Sequence, residues 1–447
     1  MKKIIAMMLA VLMAFGLCAC AEELQGIELP PLPEVTPTPP PTFPSAEDPS
    51  PSPNEESPVP TTGVMPTGEP EDAPAMIFIQ IGNRTIQQYD PAEQKELILT
   101  FSYDMPRIYA EELPEAAARI NESLATVEET FYTGSSYEGQ VGYPGFSTML
   151  EAAEDNYTYV YETGGSGLPL ELTDTLSAQV RLLSEDVLSI IYAETNYMGG
   201  AHGSYGATAY VFDMRSGEPL SLDRLSEDSD GLRDYLTGEL LALYQADEDG
   251  YYSERISEDF LPEGGIEEAL RALLRDGSWY LDREGMRIFS DLYELGPYAA
   301  GVVEFEIPYE RLAEHVDARW LYPGARQGKG KLSVVELTDE GCEKEIVDKL
   351  TVNEDGQELC VLVDGRIYDV SVETVYYLDR FYENAQLWYA NTLSDCALQL
   401  QVVVPEGLPD LRISYTTADG ERHGKLLSQS GLDGGYMLVD DNIEAVG

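Results

Sequence analysis

Basic residues are scarce in this chain. It holds 27 Lys and Arg against 81 Asp and Glu, a formal net charge of −54 over 447 residues. Nucleic acid and anionic lipid surfaces are therefore poor partners, whereas a basic protein or cationic ligand would be drawn in by long-range attraction. Histidine is scarcer still, at three residues. No HExxH, GxSxG, CxxC or Cys/His ligand spacing occurs, so no pattern for a bound metal, cofactor or activated serine is present.

Long apolar runs are missing too, with one exception at the start. Met1-Lys2-Lys3 is a short basic head, and Ile4 to Leu17 is an apolar run of fourteen residues. Fourteen residues are too few to span a bilayer as a mature helix and match a signal-peptide core. Leu17-Cys18-Ala19-Cys20 then reads as a bacterial lipobox. The expectation is a leader at 1–19, cleavage before Cys20 and lipidation of its thiol. This places the chain outside the cytoplasm, lipid-anchored to the outer face of the cytoplasmic membrane. Losing Lys2 and Lys3 moves the formal charge from −54 to −56.

Cysteine is sparse, at five residues. Cys18 leaves with the leader and Cys20 takes the lipid. Cys342, Cys360 and Cys396 remain, and an exported location permits a disulfide among them. Three thiols leave at least one unpaired, and the spacing does not say which.

Residues 20–75 read as a disordered tether. From 21 to 75 there are sixteen prolines, eleven acids and no Lys or Arg. Proline removes backbone donors, and the like charges repel. In the polyproline form, at about 3.1 Å per residue, the segment reaches roughly 170 Å.

Order begins near Ile77. Strand patterns cover Ile77–Ile81, Glu96–Phe101, Ala178–Leu183, Val187–Tyr192 and Thr208–Asp213. Pro114 opens a helix with Ile120, Leu124 and Val127 at helical spacing. Leu232–Tyr244 and Ile266–Leu274 are further helices, and Trp279–Leu281 and Gly301–Ile307 further strands. The stretch 76–320 therefore reads as α+β, divided into 76–200 and 201–323. From Lys331 the helical pattern stops. Tyr368, Val370, Val372 and Thr374 alternate with Asp369, Ser371 and Glu373. Leu398, Leu400, Val402 and Val404 alternate with Gln399 and Gln401. Asp364-Gly365 and Asp419-Gly420 suit hairpin turns. Residues 331–447 are expected to form a small all-β, sandwich-like domain behind a glycine-rich hinge at 324–330.

The densest internal segment is Tyr197-Met198-Gly199-Gly200-Ala201-His202-Gly203-Ser204-Tyr205-Gly206. About a hundred residues later comes Leu295-Gly296-Pro297-Tyr298-Ala299-Ala300-Gly301. Together with Tyr103-Asp104-Met105-Pro106-Arg107-Ile108 and Phe212-Asp213-Met214-Arg215-Ser216-Gly217, these make 76–320 resemble the extracytoplasmic region of the lysozyme-sensing anti-sigma factor RsiV. The same region accompanies the catalytic domain of the peptidoglycan deacetylase PdaC. The resemblance implies an α+β module that binds lysozyme. It carries over neither anti-sigma nor deacetylase activity, because the sigma-binding segment and the metal-binding histidines have no counterpart here. The candidate binding residues are Tyr197, His202, Tyr205, Pro297 and Tyr298. The ligand classes are lysozyme, another basic protein, or peptidoglycan. A structural surface role and a wall-acting enzyme with His202 as base are the alternatives. Three acidic runs, beginning at Asp228, Asp247 and Asn353, lack the twelve-residue calcium spacing and read as turns.

Intact mass spectrometry of protein from the native envelope should find a mature N-terminus at Cys20 carrying a diacylglyceryl thioether. An unlipidated start downstream of Cys20 would make the chain a secreted protein.

Overall fold

The computed structural model describes residues 76–441 apart from 93, 136–142, 164–170, 248, 323–329, 338–340, 379–380, 406–408 and 431–433. The leader, Cys20, the tether and nearly all of the 324–330 hinge lie outside the described residues. Among the described residues no helix is long and apolar enough to cross a membrane.

Strand β1 (Ile77–Tyr89) pairs antiparallel with β2 (Leu97–Ala110). Two helices follow, α1 (Pro114–Thr133) and α2 (Phe146–Thr163). They carry the chain across to β3 (Leu172–Leu183), which lies parallel to β2, as a parallel pair requires of its connection. The predicted face of α1 is buried: Ile120, Leu124 and Val127, with Phe131 stacked on Phe101. Pro106 is tolerated inside β2 because β3 pairs only with Leu99–Tyr103, so the missing N–H faces no partner strand. Beyond that point α1 takes over. Its Asn121 accepts from the Ile108 N–H at 2.8 Å and donates to the Ile108 carbonyl at 2.9 Å. Arg107 grips buried Glu128 of the same helix.

Antiparallel β4 (Val187–Tyr197) and β5 (Ser204–Asp213) extend the sheet. Their side chains alternate between two cores. Leu188, Ile190 and Tyr192 join the core under α1 and α2. Val187, Ile191, Ala209 and Val211 join a second core on the opposite face. That face is covered by α3 (Ser229–Ala246), α4 (Gly265–Ala272), a three-stranded sheet and the short α5 (Tyr309–Leu312). The small sheet runs β6 (Trp279–Leu281), β7 (Gly285–Phe289), β8 (Glu304–Pro308). The division expected at 200/201 falls in the turn between β4 and β5, so one sheet runs through it.

The described regular elements after 330 are all strands: β9 (Lys331–Glu336), β10 (Ile346–Thr351), β11 (Gln357–Asp364), β12 (Arg366–Leu378), β13 (Phe381–Ser394), β14 (Ala397–Val402), β15 (Leu411–Thr416), β16 (Arg422–Gln429) and β17 (Tyr436–Asp440). Strands β10, β14, β11 and β9 form a four-stranded sheet. It packs on β12, β13 and β15 around Val361, Leu398, Val372, Trp388 and Ile413. This sandwich is not self-contained. β13 pairs with β1, Phe78 opposite Ala390 and Gln80 opposite Trp388. A single ten-stranded sheet therefore runs from β17 through β13 and β1 to β5. Asp364-Gly365 also departs from expectation. It joins β11 in one sheet to β12 in the other, so it turns a corner of the sandwich and closes no hairpin. Asp419-Gly420 does join the antiparallel pair β15 and β16.

A buried polar network locks the two halves. Asp369 sits at a register break in β12 with φ of 49°, a left-handed conformation uncommon outside glycine. Its fully buried carboxylate accepts from Tyr322 Oη at 2.7 Å and Tyr389 Oη at 3.3 Å. Arg283, from the β6–β7 turn, lies 3.6 Å from it and also reaches Tyr389 and Thr416. Removing one partner of a buried ion pair strands the other charge, at about 3–5 kcal/mol. Arg283→Ala should therefore lower the unfolding free energy by about that amount. Asp369→Asn keeps the acceptor for Tyr322 and tolerates positive φ but leaves the Arg283 guanidinium without its counter-charge, so it should also destabilise, by on the order of 3–5 kcal/mol. Losses below about 1 kcal/mol for both variants in urea titration would refute the network's role.

Candidate functional site

The two glycine-bearing segments, nearly a hundred residues apart, meet at one end of the large sheet. The first forms the β4–β5 turn. Tyr197 donates from Oη to the Gly200 carbonyl at 2.9 Å, which fastens the turn back on its own strand. The second is anchored at both ends by buried Leu295 and Val303, with Pro297 opening a 3₁₀ turn over Tyr298–Ala300. Gly301 closes that turn at φ of 71°, and a Cβ there would stand 2.9 Å from Tyr205 Oη. Only glycine permits both the backbone conformation and the close approach.

The outcome is an aromatic platform. The His202 and Tyr298 rings stack at 4.0 Å between centroids. Tyr205 meets Tyr298 edge to face at 5.8 Å, and Tyr293 lies 6.0 Å from Tyr298. Tyr293 is 49% exposed, and His202 and Pro297 are exposed as well. Burial, with the Tyr298 and Tyr293 hydroxyls nearby, pushes the Tyr205 phenol up to about 12, and burial with the Tyr293 hydroxyl raises the Tyr298 phenol. Both stay neutral donors at physiological pH. Among the described residues none of these three hydroxyls has a hydrogen-bond partner, which leaves ring faces and O–H groups open to a ligand.

All five residues expected at the site, Tyr197, His202, Tyr205, Pro297 and Tyr298, lie in this cluster, but their tasks differ. Tyr197 and Pro297 shape the two turns. His202, Tyr205 and Tyr298 present rings. The ring nitrogen His202 Nδ1 lies 2.9 Å from the Gly203 carbonyl. Among the described residues no carboxylate hydrogen-bonds this histidine, and a base needs such an orienting partner.

Tyr293 belongs to the platform and was missed. Its φ of 66° is unusual for a bulky residue. Arg275 holds it there by bridging its flanks, with contacts of 2.7 and 2.9 Å to Glu294 and 2.8 Å to Asp291. Such strain persists where the surroundings over-determine it, often at binding sites. The exposed tyrosine two residues before Leu295-Gly296-Pro297 was its only sequence mark.

The acidic runs serve as local backbone acceptors. Asp228 caps α3, accepting from the Gly231 N–H at 3.0 Å, and Asp247 accepts from Tyr252 and Ser253. Among the described residues no group of three or more potential metal ligands gathers.

One acid on the neighbouring strand β3 is unusual. Asp174 is 0% exposed, and among the described residues neither carboxylate oxygen has a side-chain hydrogen-bond partner. Burial, then the neighbouring Glu194 carboxylate, pushes it up from 3.8 to about 8. Glu194 is raised as well, again chiefly by burial.

Comparison with known proteins finds a match over part of the chain and no activity. Residues 242–310, from the last turn of α3 into the start of α5, match the family described as "Protein of unknown function (DUF3298)". This segment carries Tyr293, Pro297 and Tyr298. Two solved structures of that family are similar. One, from Bacteroides fragilis, is 18% identical, with 54% of this chain and 94% of that chain covered and a TM-score of 0.39. The other, from Pseudomonas aeruginosa, is 19% identical, with coverage of 57% and 99% and a TM-score of 0.35. No curated protein matches the chain.

The Asp174 environment sets a pH dependence. Its folded-state pKa lies above the unfolded value, so the folded state holds the proton more tightly. The resulting stability is fully present below about 3.8 and is lost as pH rises through about 8. Asp174→Asn keeps the shape and removes the charge. It should stabilise the protein by on the order of 2–4 kcal/mol above pH 8 and do little at pH 4. Urea midpoints across that range check this, and a uniform gain or loss would refute it.

Proposed function

We propose that the chain is a lipid-anchored extracytoplasmic binding protein that captures a basic protein on the platform of His202, Tyr205, Tyr293 and Tyr298. Lysozyme is the sharpest candidate, because both segments that build the platform are among the four by which the chain resembles the lysozyme-sensing region. The observation that carries the proposal is the platform itself: four aromatic rings, stacked or in near contact, held on clamped turns with their hydroxyls uncommitted. Interface anchors are enriched in rigid aromatics of this kind, and arginine stacks well on tyrosine faces. The net charge of −54 supplies steering toward a cationic partner and speeds encounter.

A wall glycan is the second reading, supported by the same ring faces, which suit sugar stacking. The enzyme alternative draws less support, since His202 is engaged by a ring and a carbonyl. The strand pairing between β1 and β13 argues for testing the whole folded region, not a fragment ending near 320.

Calorimetry of the full chain with lysozyme at physiological salt should give a dissociation constant in the low micromolar range or tighter. Tyr298→Ala should weaken it by at least about tenfold, and Asp174→Asn should leave it unchanged. Absence of binding in that range would sink the lysozyme form of the proposal. Retained binding by Tyr298→Ala would move the site elsewhere.

A further inference from the structure

Cys342, Cys360 and Cys396 are all free thiols in this structure. Strand alternation separates two of them. Cys396 points into the sandwich core with Val361, Val363 and Leu398. Cys360 points to the other face of the same sheet, where it clusters with Leu362 and Ala397. Successive strand side chains face opposite ways, so Cys360 and Cys396 cannot meet without breaking the register. Cys342 comes to Cys360 from outside. It lies between β9 and β10 and packs on the Cys360 cluster. Lys344, two residues on, pins this segment to the end of β11, its Nζ 2.6 Å from an Asp364 oxygen and donating to the Val363 carbonyl at 2.5 Å.

We propose that Cys342 and Cys360 are a thiol modification site that closes to a disulfide on exposure to a low-molecular-weight disulfide such as oxidised glutathione, while Cys396 stays reduced. Cys342 is partly exposed and Cys360 fully buried, so the order of steps follows. The Cys342 thiolate attacks one sulfur of oxidised glutathione, forms a mixed disulfide and releases one glutathione thiolate. Cys360 then gives its proton to solvent, attacks the Cys342 sulfur and expels the second glutathione. Two protein thiols are oxidised, and one glutathione disulfide is reduced to two thiols. Burial, and then the hydrogen bond to Cys342, push the Cys360 thiol up to about 12. The second step is therefore the slow one and quickens with pH. The bond ties Cys342 of the β9–β10 connection onto β11, a central strand of its sheet.

The test uses the full chain, reduced, desalted and incubated natively with oxidised glutathione. Free thiols are alkylated and the protein is digested without reductant. The expected result is a linked peptide pair containing Cys342 and Cys360, about 2 Da lighter than the two thiol peptides together, with Cys396 alkylated once unfolded. Closure should be faster at pH 9 than at pH 7. Cys396→Ser should retain the link, and Cys342→Ser, at a partly exposed position that leaves the fold intact, should abolish it. The linked protein should melt several degrees above Cys342→Ser. The proposal falls if Cys342 and Cys360 both remain alkylatable, if Cys342 stops at the glutathione adduct, if Cys396 enters the link, or if the link forms only in denaturant.

Discussion

The ladder between β1 and β13 is the constraint on which the rest depends. It joins residues some three hundred positions apart and turns two half-sheets into one. Both faces of the seam are used. Ile77, Ile79 and Tyr389 belong to the core under the helices, while Trp388 and Ala390 belong to the sandwich. The Ile77 N–H even finds its acceptor on Asn391, at 2.9 Å. Without β13, β1 would leave an open edge, which folded proteins avoid. Without β1, the sandwich would lose Phe78, which stacks on Trp388 at 5.8 Å. The buried Asp369 and Arg283 network then fixes the angle between the halves from the other face. A charge pair there contributes geometry more than net stability, since desolvation offsets most of its attraction.

Much of the local structure was legible. Ile120, Leu124 and Val127 announced α1, and Leu232, Leu236 and Leu240 announced α3, because a one-sided core imposes its period on a helix. Trp279–Leu281 was legible for its apolar composition. What stayed hidden was long-range. Nothing in Ile77–Ile81 says that its second neighbour is Trp388 and not a nearby strand, so a boundary was read at 324–330 that the sheet ignores. Asp364-Gly365 has hairpin chemistry, and only the pairing of its flanking strands reveals a corner. The alternation in β12 was real, yet Asp369, Ser371 and Glu373 are buried in hydrogen-bonded networks and not exposed to water. A polar residue on a strand marks a face, and the tertiary structure decides whether that face is wet. The helix α2 escaped because Phe146–Thr163 spreads its apolar residues thinly among Glu, Asp and Thr.

The candidate site was legible in part for a physical reason. Glycine and proline mark turns whatever the fold, so both segments stood out, and their meeting could be suspected from the resemblance. Tyr293 had no such mark, because the Arg275 clamp that bends it is assembled from three separate positions.

The four segments behind the resemblance divide by task. Asp104, Arg107 and Ile108 dock α1 and β3 onto β2. Asp213 gathers Arg224 and Arg319, held below the usual carboxylate range by the Arg215 backbone N–H and Arg319 against the cost of burial. Gly217 lies so close to α1 that a Cβ would meet the Ala116 carbonyl at 2.5 Å. These two segments build the scaffold and touch no ligand surface. The other two build the platform, and within them Tyr197 and Pro297 are also committed to shape. A likeness carried by such segments therefore speaks first for the fold. What it says about a ligand narrows to three side chains, His202, Tyr205 and Tyr298, with Tyr293 just outside the segments and 6.0 Å from Tyr298. On the proposed reading, rings held on clamped turns are ordered before a partner arrives, which lowers the entropy cost of binding on this side. Asp291, two residues before Tyr293 and 52% exposed at its side chain, is held by Arg275 at 2.8 Å, so the clamp that bends Tyr293 also fixes an exposed carboxylate in the same segment.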